Sequence, residues 1–119
     1  MRITRTVIVL DAADLDAVSS FWAGLLGGTV ATYDDWHMVE VDGEARLGIQ
    51  LAPDHVPPDW PDGAPQQIHL DLWVDDITAA HKEVAALGAK VLKTADLTAD
   101  DGYQVYADPA GHPFCLCWG

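Results

Sequence analysis

The sequence predicts an α+β fold made of two tandem βαβββ modules, and three observations carry that prediction. The apolar periodicity runs strand, helix, strand, strand, strand, and then the same order again. The two halves superpose 61 or 62 residues apart, with Asp14-Leu15 on Asp76-Ile77 and "LLGGTV" on "AALGAKV". Between them lies "PDHVPPDWPDGAP", residues 53 to 65, with five prolines and no periodicity. The expected organisation is one domain over residues 1–119: module one over 1–52, a Pro-rich linker over 53–65, and module two over 66–119.

Residues 3 to 10, "ITRTVIVL", are rich in β-branched side chains and open module one as a strand. Asp14 is a good helix N-cap, with Asp16 in the first turn. Leu15, Val18, Trp22 and Leu25 then follow at helical spacing, and Gly27-Gly28 ends the helix. "TVATY" and "WHMVEV" read as strands, and Asp42-Gly43 signals a tight hairpin into "ARLGIQLA".

Module two begins with "QIHLDLWV", a strictly alternating strand. Ile68, Leu70, Leu72 and Val74 fall on one face; His69, Asp71 and Trp73 fall on the other. Asp75 or Asp76 caps a helix whose Ile77, Ala80, Val84 and Leu87 form the buried stripe, with Gly88 at its end. "KVLKT", "YQVYA" and "PFCLCW" complete the strands. Each module is then a half-sheet with one helix on one face. The uncovered faces must pack together or line a cavity, which gives a ligand an obvious place.

Composition narrows the function classes. Half of the 119 residues are apolar and 21% are charged, as in a globular protein. No apolar run approaches the roughly 18 residues of a membrane helix. The basic and apolar N-terminus is followed at once by acidic residues, so it reads as a strand and not a signal peptide. The net charge of −13 argues against nucleic acid and anionic membrane as partners and favours cationic ligands. Cys115 and Cys117 lie too close along one strand for an unstrained disulfide, so reduced thiols and a cytoplasmic location are expected.

The doubled pattern, "HLDLWVDD", "VDDITAAHKEVAALGAKV" and the closing "DPAGHPFCL" resemble the vicinal oxygen chelate superfamily, most closely its small glyoxalase-like branch. The superfamily includes glyoxalase I, bleomycin-resistance proteins, fosfomycin-resistance enzymes and extradiol dioxygenases. The resemblance spans essentially the whole chain. It implies a curved mixed sheet forming a cup, with metal ligands, where present, from the first and last strands of each module.

Carried onto this chain, those positions are Val7, Gln50, His69 and Cys115. Valine offers no donor atom, and Gln50 offers a neutral oxygen. Cys115, where glutamate is usual, suits a soft ion as thiolate. His69, Gln50 and Cys115 are the candidate metal set, and Asp71 joins only if it leans toward His69. Glyoxalase I activity needs a metal-bound carboxylate base, and extradiol cleavage a two-His, one-carboxylate triad; both are missing. His69 and Cys115 remain candidate catalytic groups, as base and nucleophile.

The expected ligand face therefore comprises His69, Asp71, Trp73, Gln50, Val7, Trp36, Trp60 and Cys115. Trp60 serves either as a lid over the cavity or as a staple for the linker. Tyr103 and Tyr106 lie on opposite faces of their strand, so at most one meets a ligand. His37, His55, His81 and His112 read as surface or turn residues, His81 on its helix facing away from the cup. An aromatic, weakly charged cup in an acidic protein suits a small organic molecule, aromatic or cationic. The resemblance adds a precedent: bleomycin-resistance proteins sequester a cationic drug between two subunits. A metal-free binding protein is the leading expectation, with no cofactor and a homodimeric assembly. The alternatives are a metal-dependent lyase, isomerase or oxygenase using His69 with a divalent metal, and an interaction module whose cup its own side chains fill.

Overall fold

The computed structural model describes residues 1–119 and divides into two compact units, Met1–His55 and Val56–Gly119. The boundary falls inside the Pro-rich stretch, most of which belongs to the second unit. That stretch has turns and bends but neither helix nor strand.

The first unit runs β1 (Ile8–Ala12), α1 (Leu15–Leu26), β2 (Thr29–Thr32), β3 (Trp36–Val41) and β4 (Glu44–Leu51). Its sheet has the order β1-β4-β3-β2, with β1 parallel to β4 and the other pairs antiparallel. Asp14 caps α1, accepting a 3.0 Å hydrogen bond from the Ala17 amide. Gly27, at φ 72°, closes the helix in the left-handed conformation that glycine adopts most readily. The β3–β4 hairpin turns at Asp42 and Gly43, both at positive φ, as a two-residue primed turn requires.

The second unit repeats this plan with β5 (Leu70–Trp73), α2 (Ile77–Ala86), β6 (Lys90–Lys93), β7 (Gly102–Ala107) and β8 (Pro113–Trp118). The sheet order is β5-β8-β7-β6, again with only the first pair parallel. Asp76, not Asp75, is the N-cap of α2 and accepts from the Ala79 amide at 3.0 Å.

Two first strands are shorter than the sequence predicts. Residues 3–7 stay outside β1, because its ladder starts with Ile8 opposite Leu47. Likewise β5 starts at Leu70 opposite Phe114, so His69 immediately precedes the strand. Alternating apolar residues specify which face a strand buries; they do not specify how far a partner strand extends beside it.

The helices bury unequal faces. α1 buries Val18, Ser19, Phe21, Trp22 and Ala23, whereas α2 buries Ile77 and Val84. Leu87 ends the expected α2 stripe 37% exposed. Against α2 the second sheet sets Tyr106 and Phe114, stacked at 5.5 Å between ring centroids, and Leu116.

The histidines correct one expectation. His37 is 5% exposed, and its Nδ1 shares a 2.8 Å hydrogen bond with buried Ser19 Oγ of α1. His81 is half-buried, with Nδ1 2.9 Å from the Tyr106 hydroxyl, on the face opposite Tyr103. His112 is half-buried beside fully buried Asp108, its Nδ1 2.7 Å from Oδ2. Polar residues spaced along an amphipathic pattern read as surface unless the partner is known, and each partner here lies on another element or across a turn.

Candidate functional site

The alternation in β5 does position a polar face. Leu70 and Leu72 are partly buried, while Asp71 and Trp73 are exposed on the opposite face. The parallel ladder sets Asp71 beside Cys115 and Trp73 beside Cys117. On the other side of β8, β7 sets Tyr103 opposite Cys117 and Val105 opposite Cys115. His69, Asp71, Trp73, Tyr103, Cys115 and Cys117 line an open groove of 560 Å³. Trp73 is 71% exposed and Tyr103 49% exposed, so both rings present surface to the groove, Tyr103 with Lys93 over its ring.

Asp71 is the centre of the polar contacts. His69 Nε2 lies 3.3 Å from Asp71 Oδ1. Burial pushes the Cys115 thiol from its ordinary 9.0 up to about 12, and donation of its proton to the Asp71 carboxylate pushes the same way. The Cys117 thiol is also raised, first by burial and then by the Asp71 charge. Both cysteines are free and buried, and both are neutral thiols near pH 7. Cys115 is thus a poor nucleophile, and the Cys/His pairing loses the thiolate it would need. On the groove's rim, Lys93 Nζ donates to the Tyr103 hydroxyl at 2.9 Å and lies 4.9 Å from the ring centroid.

The other candidate positions lie elsewhere or bear differently on this groove. Trp60 is half-buried and packs with Leu92 against Val105, Cys115 and Cys117, as a wall of the same face. In the first unit, Gln50 is exposed and sits in register with Asp11 and Trp36. Trp36 stacks on Tyr33, with centroids 4.4 Å apart. Val7 is half-buried and precedes β1.

The two parallel ladders also differ in phase. Asp11, opposite Gln50, is three residues before its helix cap; Asp71, opposite Cys115, is five before its own. Counting from the caps pairs His69 with Val7, whereas counting along the ladder pairs it with Val9. Tyr103, Cys117 and Lys93 are site neighbours that motif comparison passes over. Strand alternation carried a signal for the first two, since Cys117 shares the parity of Cys115, and Tyr103 that of Val105.

Asp71 does lean toward His69, which changes the metal arithmetic. The ligand atoms of His69, Asp71 and Cys115 all lie within 4.8 Å of one another. Tetrahedral zinc with its usual bond lengths holds donors roughly 3.3–3.8 Å apart. The three residues fit a borderline-soft ion in kind, through one nitrogen, one oxygen and one sulfur, and the widest spacing would have to close around it. Hard octahedral ions find one carboxylate here and nothing else of their preference.

Comparison with known proteins agrees with this architecture. Residues 7–117 match the glyoxalase-like domain family. The search of curated proteins returned no match. Among solved structures, a fosfomycin resistance protein FosX from Listeria monocytogenes shares 14% identity at a TM-score of 0.72, covering 100% of this chain and 95% of its own. A glyoxalase/bleomycin resistance protein/dioxygenase family enzyme from Burkholderia phytofirmans shares 14% at 0.70, covering 94% and 95%. A glyoxalase-related enzyme from Fulvimarina pelagi shares 20% at 0.69, covering 98% and 89%. At such identities the structural likeness concerns the fold, whereas the family match spans nearly the whole sequence. The chain belongs to the glyoxalase-like domain family, within the vicinal oxygen chelate superfamily.

Proposed function

We propose that the protein binds a small aromatic cation in the groove of its second module, without a metal. One observation carries this reading: Asp71 lines the same groove as two exposed rings, Trp73 beside it on β5 and Tyr103 across β8. A carboxylate and aromatic rings lining one groove recognise a flat cation by charge and by cation–π attraction together. The net charge of −13 adds a long-range pull of the same sign. Neutral Cys115 donates a hydrogen bond to Asp71 and keeps its proton, so the carboxylate is held in place without its charge being cancelled.

Benzamidine and its neutral analogue benzamide test the reading through quenching of tryptophan fluorescence. Benzamidine should bind more tightly, Asp71→Asn should weaken it about tenfold, and Trp73→Ala about threefold. Equal binding of benzamide, or indifference to Asp71→Asn, would remove the proposal.

The grouping of His69, Asp71 and Cys115 favours a second reading, a zinc-type ion at these three side chains. Such an ion would polarise a substrate oxygen as a Lewis acid. Elemental analysis of tag-free protein discriminates: about one zinc per chain, lost on His69→Ala, replaces the metal-free reading.

A further inference from the structure

Across the sheet from Asp71, the groove's rim carries a charge of the opposite sign. Lys93 of β6 donates from Nζ to the Tyr103 hydroxyl at 2.9 Å and stands 4.9 Å from that ring's centroid. The chain has 6 lysines and arginines against 19 acidic residues, yet no carboxylate pairs with Lys93. Strand register places it. Lys93 is opposite Val105, Val105 opposite Cys115, and Cys115 opposite Asp71, so one row crosses all four strands. The row begins at a cation on edge strand β6 and ends at an anion on edge strand β5. Three steps of strand spacing separate the two backbones by about 14 Å.

Both end groups lean inward over the sheet. Asp71 accepts from Cys115 of β8, and Lys93 reaches over Tyr103 of β7. The Lys93 charge is felt at Cys115, where it opposes the upward push on the thiol. An ammonium has three donors, and the Tyr103 hydroxyl takes one of them. That hydroxyl accepts in the bond, so its own proton is free for another acceptor. Lys93 also supplies the cation over the Tyr103 ring, which leaves a ligand's positive charge to Trp73 and Asp71. A protein of net charge −13 repels a free anion, so a negative group arrives only on a molecule that Asp71 also holds.

We propose that the ligand is amphoteric: an aromatic ring with a cationic group at one end and a carboxylate at the other. The cationic group lies against Asp71 and Trp73, and the carboxylate accepts from Lys93 Nζ and the Tyr103 hydroxyl. Lys93 is then the residue that distinguishes such a molecule from a plain aromatic cation. This assignment rests on the groove as the binding site and narrows the class of molecule bound there.

4-Amidinobenzoate and 4-amidinobenzamide share a ring and a cation and differ by a carboxylate for a neutral amide. Their affinity ratio therefore reports on the anion seat. Physiological salt, which screens exposed charges beyond about 8 Å, subdues the repulsion from the rest of the protein. Under it, quenching of tryptophan fluorescence should show the acid binding at least as tightly as the amide. Lys93 is exposed, so its replacement leaves the fold standing. Lys93→Met should lower the acid-to-amide ratio about three- to tenfold, and Tyr103→Phe about twofold. Lys93→Arg, which keeps a charge and its donors, should hold the ratio near the wild-type value. Weaker binding of the acid by wild type, a ratio unchanged by Lys93→Met, or one lowered as much by Lys93→Arg overturns the proposal. Indifference to Tyr103→Phe removes the hydroxyl from the seat. If the amide responds to Asp71→Asn but the ratio ignores Lys93, the anion seat fails and the cation reading stands. If the ratio follows Lys93 but neither compound responds to Asp71→Asn, the cation reading fails instead.

Discussion

The two modules share a frame and differ in what they mount on it. Each has an aspartate-capped helix, a parallel first pair of strands and a polar bridge from helix to sheet. The bridges are reciprocal. Ser19 and His81 both stand five residues after their caps, at Asp14 and Asp76. Their partners, His37 and Tyr106, are paired with Ile49 and Phe114, the residues just before Gln50 and Cys115. In module one the histidine is on the sheet and the helix supplies a hydroxyl; in module two the roles are exchanged. A buried site for one imidazole and one hydroxyl persists although both residues have changed. By contrast the open faces have little in common: module one presents Asp11, Trp36 and Gln50 where module two presents Asp71, Val105 and Cys115, with Tyr103 opposite Cys117 further along the groove.

The largest expected difference lies at the helix exits. A side chain at Gly28 would strike the carbonyl oxygen of Glu40, and module two has Ala89 at the matching place. Gly28→Ala should therefore destabilise the protein by about 2–3 kcal/mol in urea denaturation. A loss under 0.5 kcal/mol would mean that the exits of the two helices are interchangeable.

The bridges provide a middle-sized contrast. Ser19→Ala strands His37 Nδ1 in a site only 5% exposed and should cost about 2 kcal/mol. Tyr106→Phe removes the hydroxyl that accepts a 3.0 Å bond from Gln104 Nε2, but this amide still has His81 Nδ1 at 3.3 Å, so the cost should be about 1 kcal/mol. The reverse order would break the comparison.

A contrast confined to alkaline conditions is a pH dependence that only module two should show. Its folded-state Cys115 thiol is raised from 9.0 to about 12, so the folded chain holds this proton more tightly than the unfolded chain. The associated stability is complete below pH 9 and declines as pH rises toward 12. Chemical denaturation across that window should show the decline, and Cys115→Ala should flatten it. An equally steep profile in Cys115→Ala would place the ionising group elsewhere.

Much of this frame could be read from the residues. The repeat, both N-caps, the Asp42-Gly43 hairpin and the eight strands follow from periodicity and turn chemistry, which are local signals. The shortened β1 and β5 were hidden because strand length depends on a partner distant in sequence. The face of His69, Asp71 and Trp73 was legible for the same local reason. The lean of Asp71 toward His69, two residues away on the same face, was open to sequence reading; its approach to Cys115 was not, because it depends on the phase of a parallel ladder closed through the intervening helix and hairpin. The partners of His37 and His81 were hidden likewise, since a surface histidine and a bridged one look alike in sequence.

Most of the Pro-rich connection belongs with the module that follows it, and its Trp60 packs against Val105, Cys115 and Cys117 on the groove's face of the sheet. One aromatic wall of that face is thus carried by a segment with no ladder to maintain. Substitutions there can alter which molecule is accepted without shifting a strand or uncapping a helix. Selection acting on this protein can reach new ligands through the connection while the doubled framework stays as it is.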